Sequence, residues 1–188
     1  MAGRTYKTQL GAIPKIVNNF KPKTSNQNIF YNIMGEEQTQ LIFCHGIAGT
    51  GKTYVSIYKA LQDVLRRGTP YHKLIIINPT VDVGNEDKLG FLPGVNLENC
   101  YVILDEAQNV SPMQMKTLMT RISENCKMIV QGDMSQCDKF KANGITAYEK
   151  SGFYDAWFRL KDVEGVNHMA FNRDDCIRHP LVKRILKT

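Results

Sequence analysis

Leu41-Ile42-Phe43-Cys44-His45-Gly46-Ile47-Ala48-Gly49-Thr50-Gly51-Lys52-Thr53 is the stretch on which the fold turns. A short apolar run leads into a loop that fits G-x-x-x-x-G-K-[ST] from Gly46 to Thr53 without a mismatch. Helical spacing follows from Thr53 to Arg67, with Val55, Tyr58, Leu61 and Leu65 on one face and Gly68 as the stop. Strand, glycine loop and helix in that order are what a phosphate cradle needs. Glycines let backbone N–H groups turn inward, where side chains would obstruct the phosphate oxygens. The helix start adds its partial positive charge. Gly46, Ile47, Ala48, Gly49, Thr50, Gly51, Lys52 and Thr53 are therefore expected to hold a nucleoside triphosphate, with ATP and Mg²⁺ as cofactors. Lys52 would reach the β- and γ-phosphates, and Thr53 would place its hydroxyl on the metal.

Working outward, the chain alternates. Lys73–Asn78, Tyr101–Leu104 and Met128–Gln131 are short runs of strand character, and Val166–Phe171 is a weaker fifth. A first helix is expected from Thr24 or Ser25 to about Met34-Gly35, since either residue is a good N-cap. A third, after the one over Thr53–Arg67, starts at Ser111-Pro112-Met113-Gln114, with Pro in the first turn and a capping-box Gln, and runs to about Asn125. A closing helix is expected over Asp174–Thr188. Buried strands alternating with helices predict an α/β fold with a mostly parallel sheet flanked by helices. Residues 1–23, polar and punctuated by proline, read as an irregular arm, and 24–188 as one domain. A chain of 188 residues has room for one ordinary domain and a good core.

The composition narrows the class. Twenty-four Lys and Arg against eighteen Asp and Glu leave a net charge of +6, which suits polyanionic partners but is spread without a dense block. Five cysteines (Cys44, Cys100, Cys126, Cys137, Cys176) without a C-x-x-C pair argue against a disulfide framework or a zinc site. Cys44, Cys100 and Cys126 lie in or beside apolar runs and read as small buried hydrophobes. No apolar run is long enough to span a bilayer, and Met1–Leu10 does not resemble a signal peptide. A cytoplasmic protein without a membrane partner is expected.

Tyr101-Val102-Ile103-Leu104-Asp105-Glu106 sets two carboxylates at the end of an apolar strand. Asp105 is expected to hold Mg²⁺ through its water shell, and Glu106 to act as general base on the attacking water. Two acids at the rim of a core strand repel one another unless a cation offsets them. Asp105-Glu106-Ala107-Gln108 resembles the second motif of helicase-type motors. Val130-Gln131-Gly132-Asp133-Met134-Ser135-Gln136 resembles their third, in which a Gln at the position of Gln136 senses the γ-phosphate. Gln27 resembles the adenine-reading Gln of such motors.

Asn78-Pro79-Thr80-Val81-Asp82-Val83-Gly84, Lys88-Leu89-Gly90-Phe91-Leu92-Pro93-Gly94, Asp105–Asn109 and Arg178-His179-Pro180-Leu181-Val182 together resemble the PhoH family, with a phage origin among the readings left open. The resemblance runs from about Thr24 to the end. It implies a RecA-like P-loop ATPase domain related to superfamily 1 helicases, tied to RNA metabolism and often hexameric. Single-stranded RNA is thus the implied partner, the host cytoplasm the location if the source is viral, and RNA helicase-like activity an open extension.

Two departures from the family stand out: Asn78 replaces its usual Arg, and few residues separate Gly94 from the acidic strand. Superfamily 1 helicases complete the ATP site with arginines from a second such domain. A homo-oligomer, most simply a hexameric ring, would supply them in trans, with Arg178 first among the candidates and Arg121 and Arg173 behind it. Two other readings are an ATP-binding switch without productive turnover and a small-molecule phosphotransferase. Glu106 speaks against the first, and the lack of an Arg-rich lid against the second.

Overall fold

The computed structural model describes residues 20–79, 96–136 and 151–177. Five strands form one sheet: β1 (Leu41–His45), β2 (Lys73–Ile77), β3 (Cys100–Leu104), β4 (Cys126–Gly132) and β5 (Val166–Ala170). Their spatial order is β2-β3-β4-β1-β5, and every pairing is parallel. The helices are α1 (Ser25–Gly35), α2 (Lys52–Leu65), α3 (Pro112–Met119) and α4 (Gly152–Arg159).

A parallel sheet covered on both faces should have central strands that are apolar throughout rather than alternating. Here β3 and β4 are buried along their whole length, and β1 as far as Cys44. Phe43, Val102, Leu104, Met128 and Val130 pack with Met115 and Leu118 of α3 and Phe153 and Ala156 of α4. The alternate residues Ile42, Tyr101, Ile103 and Ile129 pack with Phe30 and Met34 of α1 and Val55 and Ala60 of α2. The edge strand β2 is only partly covered, with Ile76 exposed.

The caps show why the helices start where they do. Thr24 accepts a bond from the Gln27 N–H at the head of α1. Ser111 and Gln114 form the expected capping box at α3, with Pro112 in its first turn. Gly51 precedes α2 in a left-handed conformation at φ 88°.

Several expectations need correction. α3 ends at Met119, not near Asn125, because Arg121 and Ser123 turn to bond Leu97 and form a bridge there before β4 begins. α2 stops at Leu65, with Arg66 rather than Gly68 leaving the helix. α1 does end at Gly35, as expected, with the extended Glu36 making the exit. Asp174 to Ile177 is not α-helical: Arg173–Asp175 is a single 3-10 turn capped by Asn172. The rest of the expected closing helix, and residues 1–19 of the expected arm, lie outside the described residues. α4 was not anticipated as a helix. Ser151 caps it by accepting from the Tyr154 N–H, and its first residue, Gly152, admits no side chain, since a Cβ would lie 2.4 Å from the Ser111 carbonyl oxygen.

Beneath the α1–α2 face lies a buried polar network. The Lys127 amine donates to the carbonyls of Met34 and Glu36, both at 2.7 Å, and so caps the C-terminal end of α1. The Tyr101 hydroxyl donates to Asp63, which also takes an ion pair from Lys59 at 2.7 Å. Burial holds the Lys127 amine down to about 8, with Asp63 opposing that effect. Between pH 8 and the ordinary lysine range the unfolded chain binds the extra proton and the native state does not, so native stability rises with pH across that window. Urea unfolding of wild type and Lys127→Met from pH 7 to 10 should show the difference moving steadily in favour of wild type. A pH-independent difference would mean the amine does not titrate there.

Candidate functional site

Because all strands run the same way, their carboxyl ends share one edge, and the loops after β1, β3 and β4 meet there. They line a cleft of about 250 Å³ formed by Ala48, Gly49, Gly51, Lys52, Thr53, Tyr54, Asp105, Glu106, Gly132, Asp133 and Gln136.

The loop after β1 is held from every side. The Gly46 N–H donates to the Gly132 carbonyl at 3.1 Å, and a Cβ on Gly46 would lie 2.7 Å from that of Phe171. The Thr50 hydroxyl donates to the Ile47 carbonyl at 3.0 Å. Gly49 and Gly51 adopt φ of 90° and 88°, where a side chain is strained. The Ile177 N–H bonds the Gly49 carbonyl, so the segment after β5 braces the loop's outer edge. The Lys52 ammonium lies over the loop, donating to the carbonyls of Gly46 and Ile47.

Gln27 is buried beneath the same loop. Its amide donates to the Thr50 carbonyl at 3.0 Å and accepts from the Lys23 N–H at 2.8 Å, and a Cβ on Gly51 would collide with it at 2.6 Å. The structure thus brings Gln27 to the loop, with its amide engaged by backbone.

Asp105 and Glu106 stand opposite. The Thr53 hydroxyl donates to Asp105 Oδ2 at 3.0 Å, and the Glu106 N–H bonds Asp105 Oδ1 at 3.0 Å. Glu106 is exposed to the cleft and takes left-handed backbone angles, φ 53° and ψ 38°, uncommon outside glycine and asparagine. Gln108, fully buried, donates to the Glu106 carboxylate and accepts from the Asp133 N–H at 3.1 Å. A Cβ on Gly132 would lie 2.9 Å from that amide oxygen, so the glycine lets β4 approach. Gln136 completes the rim, donating to Asp133 Oδ2 at 3.0 Å.

His45 packs its ring edge-on to Trp157, and its Nδ1 accepts from the Met134 N–H at 3.2 Å. Burial lowers its pKa against the pull of Asp133, which fits a neutral ring in a packing role. Burial pushes the Cys44 thiol up, in keeping with an inert core residue. Asn172 serves as a cap, accepting from the N–H groups of Asp174 and Asp175. Of the aromatics after Tyr148, Phe153 and Trp157 pack in the core while Phe158 faces solvent. Arg178, expected to complete the site, lies outside the described residues, and no arginine lines the cleft among those that are described.

Two site residues had not been singled out, Gln108 as a bridge and Gln131 as a buried partner of Thr53, with its amide 3.0 Å from the Thr53 hydroxyl. The available signal was a glutamine closing the apolar run Met128-Ile129-Val130, where a buried amide must find partners.

A glycine loop closing onto a helix start, a carboxylate pair on β3, and β4 inserted between their strands define a P-loop nucleoside triphosphatase fold of the RecA-like kind. The family model of PhoH-like proteins matches residues 19–96 and 88–188. The chain belongs to the PhoH-like family. It is 34% identical over 212 residues to the PhoH-like protein of Synechocystis sp., covering 89% of this chain and 61% of that one. For the PhoH-like protein of Bacillus subtilis the figures are 33% over 210 residues, 88% and 62%. For Protein PhoH of Escherichia coli K12 they are 30% over 208 residues, 86% and 56%. The chain thus spans about three fifths of the length of these relatives.

Among solved structures it is similar to the P-loop NTPase domain of the sigma-54 transport activator from E. coli, with 15% identity and a TM-score of 0.43 over 76% of this chain and 92% of that one. It is also similar to a structure of Pif1 helicases on forked DNA, with 14% identity and a TM-score of 0.42 over 87% and 47%. No helix among the described residues is long and apolar enough to cross a membrane.

Lys52→Ala removes the lysine ammonium that lines the cleft among the described residues. Charge-assisted bonds contribute about 1.5–3 kcal/mol, so ATP affinity should fall roughly 10- to 100-fold in a direct titration. Unchanged affinity would place the phosphates elsewhere.

Proposed function

We propose that this chain binds Mg·ATP in the cleft between the β1 loop and the β3 carboxylates and hydrolyses it, as an ATPase of the PhoH type related to superfamily 1 helicases. The observation that carries this reading is the convergence of Lys52, Thr53, Asp105, Glu106 and Gln136 on one cleft. The donor set fits the metal. Thr53 and Asp105 present hard oxygen atoms 3.0 Å apart, and no group of three or more His, Cys, Asp or Glu that could cage an ion exists among the described residues. Mg²⁺ is commonly bound this way, by one or two protein oxygens plus phosphates and water. When bound it would neutralise phosphate charge.

The remaining roles belong to the chain. Loop N–H groups from Gly49 to Thr53 hold the β-phosphate, the Gly46 N–H being bound to the Gly132 carbonyl, and Lys52 exchanges loop carbonyls for phosphate oxygens. Glu106 accepts a proton from a water aligned with the γ-phosphorus. That water's oxygen forms the new P–O bond as the bond to the β-phosphate oxygen breaks, releasing ADP and phosphate. Gln136 contacts the γ-phosphate and, through the Gln108 amide, shares a seam with Glu106, 3.5 Å separating the two glutamine side chains. Gln27, its amide engaged by the Thr50 carbonyl and the Lys23 N–H, supports the loop from beneath.

Glu106→Gln keeps the shape and removes the base. ATP affinity should stay within a few-fold of wild type while turnover falls about 10²–10⁴-fold. A variant with wild-type turnover would assign water activation to another group, whereas wild-type protein that binds ATP but never turns it over would favour a nucleotide switch.

The same proposal includes assembly and client. An arginine that stabilises the transferring phosphoryl group contributes about 10³–10⁵ in rate, and none lines the cleft among the described residues. A homo-oligomeric ring, most simply a hexamer, supplies one to each site from its neighbour, with Arg178 the favoured residue. The charge of +6 supports a polyanionic client, and the family resemblance favours single-stranded RNA. Specific ATPase activity should fall on dilution, in step with loss of the oligomer in light scattering, and rise with single-stranded RNA more than with DNA. Constant specific activity from a monomer would exclude the trans arginine.

A further inference from the structure

Gln131 occupies a place where an apolar residue would be simpler. It is the sixth residue of the fully buried β4, is itself wholly inaccessible, and pairs in register with the buried Cys44. Burying an amide is unfavourable unless its bonds are made, and both halves of this one are engaged. Its Nε2 donates to the Thr53 hydroxyl oxygen at 3.0 Å, and its Oε1 lies 2.9 Å from the hydroxyl of the equally buried Ser56, whose one proton is shared among that oxygen and the carbonyls of Lys52 and Thr53 at 2.9 and 3.2 Å. The Thr53 hydroxyl in turn donates to Asp105 Oδ2 at 3.0 Å.

A hydroxyl has one proton and two lone pairs. The proton goes to Asp105 and one lone pair to Gln131, leaving one lone pair for a third partner. In a helix, threonine ordinarily divides between two rotamers because its hydroxyl can bond back to the carbonyl three or four residues earlier. For Thr53 those carbonyls belong to Thr50 and Gly49, and each already accepts one bond, from Gln27 and from the Ile177 N–H. In place of either carbonyl, the Thr53 hydroxyl takes the rotamer that meets Asp105 and Gln131.

We propose that Gln131, locked by Ser56, is a positioning residue that presents the free lone pair of Thr53 to the divalent cation accompanying the nucleotide, and so sets how much that cation tightens binding. It acts through Thr53 and touches neither nucleotide nor metal. This rests on the Mg·ATP reading above. Its signature differs from that of a packing residue: without the metal Gln131 contributes nothing to nucleotide affinity, and with it Gln131 contributes strongly. Partners that orient a metal ligand typically change metal affinity 10- to 100-fold.

The test is calorimetric titration with a non-hydrolysable ATP analogue, in EDTA and across a Mg²⁺ series, for wild type, Gln131→Leu and Gln131→Asn. Asn keeps the amide but falls a methylene short of Thr53, so it serves if Leu does not fold. In EDTA all folded variants should match wild type within about threefold, while the Mg²⁺ concentration giving half the affinity gain should rise about 10- to 100-fold. Ser56→Ala, which frees the amide, should shift it in the same direction and less. An unchanged Mg²⁺ midpoint would overturn the positioning role alone. Equal loss of affinity in EDTA and in Mg²⁺ would also overturn it, as the mark of a collapsed loop. A wild-type protein whose affinity ignores Mg²⁺ would remove the metal reading, and the role with it.

Discussion

A parallel ladder through β3, β4 and β1 is the constraint on which the site depends. Each strand is hydrogen-bonded on both sides and covered on both faces, so none can slip by one residue without turning its core side chains to the wrong face. The registers Cys44↔Gln131 and Leu104↔Val130 then fix how far each strand projects at its carboxyl end. With all strands parallel, these ends form one edge, the place where open α/β sheets bind ligands. The β1 loop and the β3 carboxylates come together there because β4 separates their strands. The cleft this leaves is about 250 Å³, and β4 brings Gly132 to its lining.

The edge also carries a set of buried polar groups. Gln27, Thr50, Gln108, Gln131 and Asp133 are all buried within the described residues, and each has a hydrogen-bond partner. Unsatisfied, any one of them would cost about 1–3 kcal/mol. Satisfied, they leave the loop and carboxylate ends little freedom to rearrange, and a rigid donor array stabilises transferring charge better than one that must reorganise. Gly132 belongs to the same logic, since any larger residue would push Gln108 away from the Glu106 carboxylate.

Electrostatics point the same way. Asp105 and Glu106 are adjacent carboxylates on a buried strand end, facing the Lys52 ammonium and the N-terminus of α2. Lys52 is the cation that lines the cleft opposite the two acids among the described residues, an arrangement that suits a metal-bearing polyphosphate. At the other end of the sheet, the Lys127 network joins the end of α1 to the start of β4, and Asp63 binds α2 to β3 through Tyr101.

Which of these features the sequence could show depended on their range. The phosphate loop, the caps at Thr24 and Ser111, the apolar strands and the acids at Asp105-Glu106 follow from neighbours within a few residues, so one sequence determined them, along with the α/β class. The end of α3 was out of reach, because Leu97 draws residues 121–123 out of the helix across a long chain separation. So was α4, whose glycine start makes sense only against the Ser111 carbonyl. At the site, the sequence named Lys52, Thr53, Asp105, Glu106 and Gln136 but could not show that they share a cleft. Nor could it show that Gln108 bridges Glu106 to β4, or that Gln131 holds Thr53. Those pairings join residues 25 to 78 positions apart. Only the stacking of β1, β4 and β3 at one edge decides them, since a hydrogen bond depends on distance in space and chain order says nothing about it until the sheet has formed.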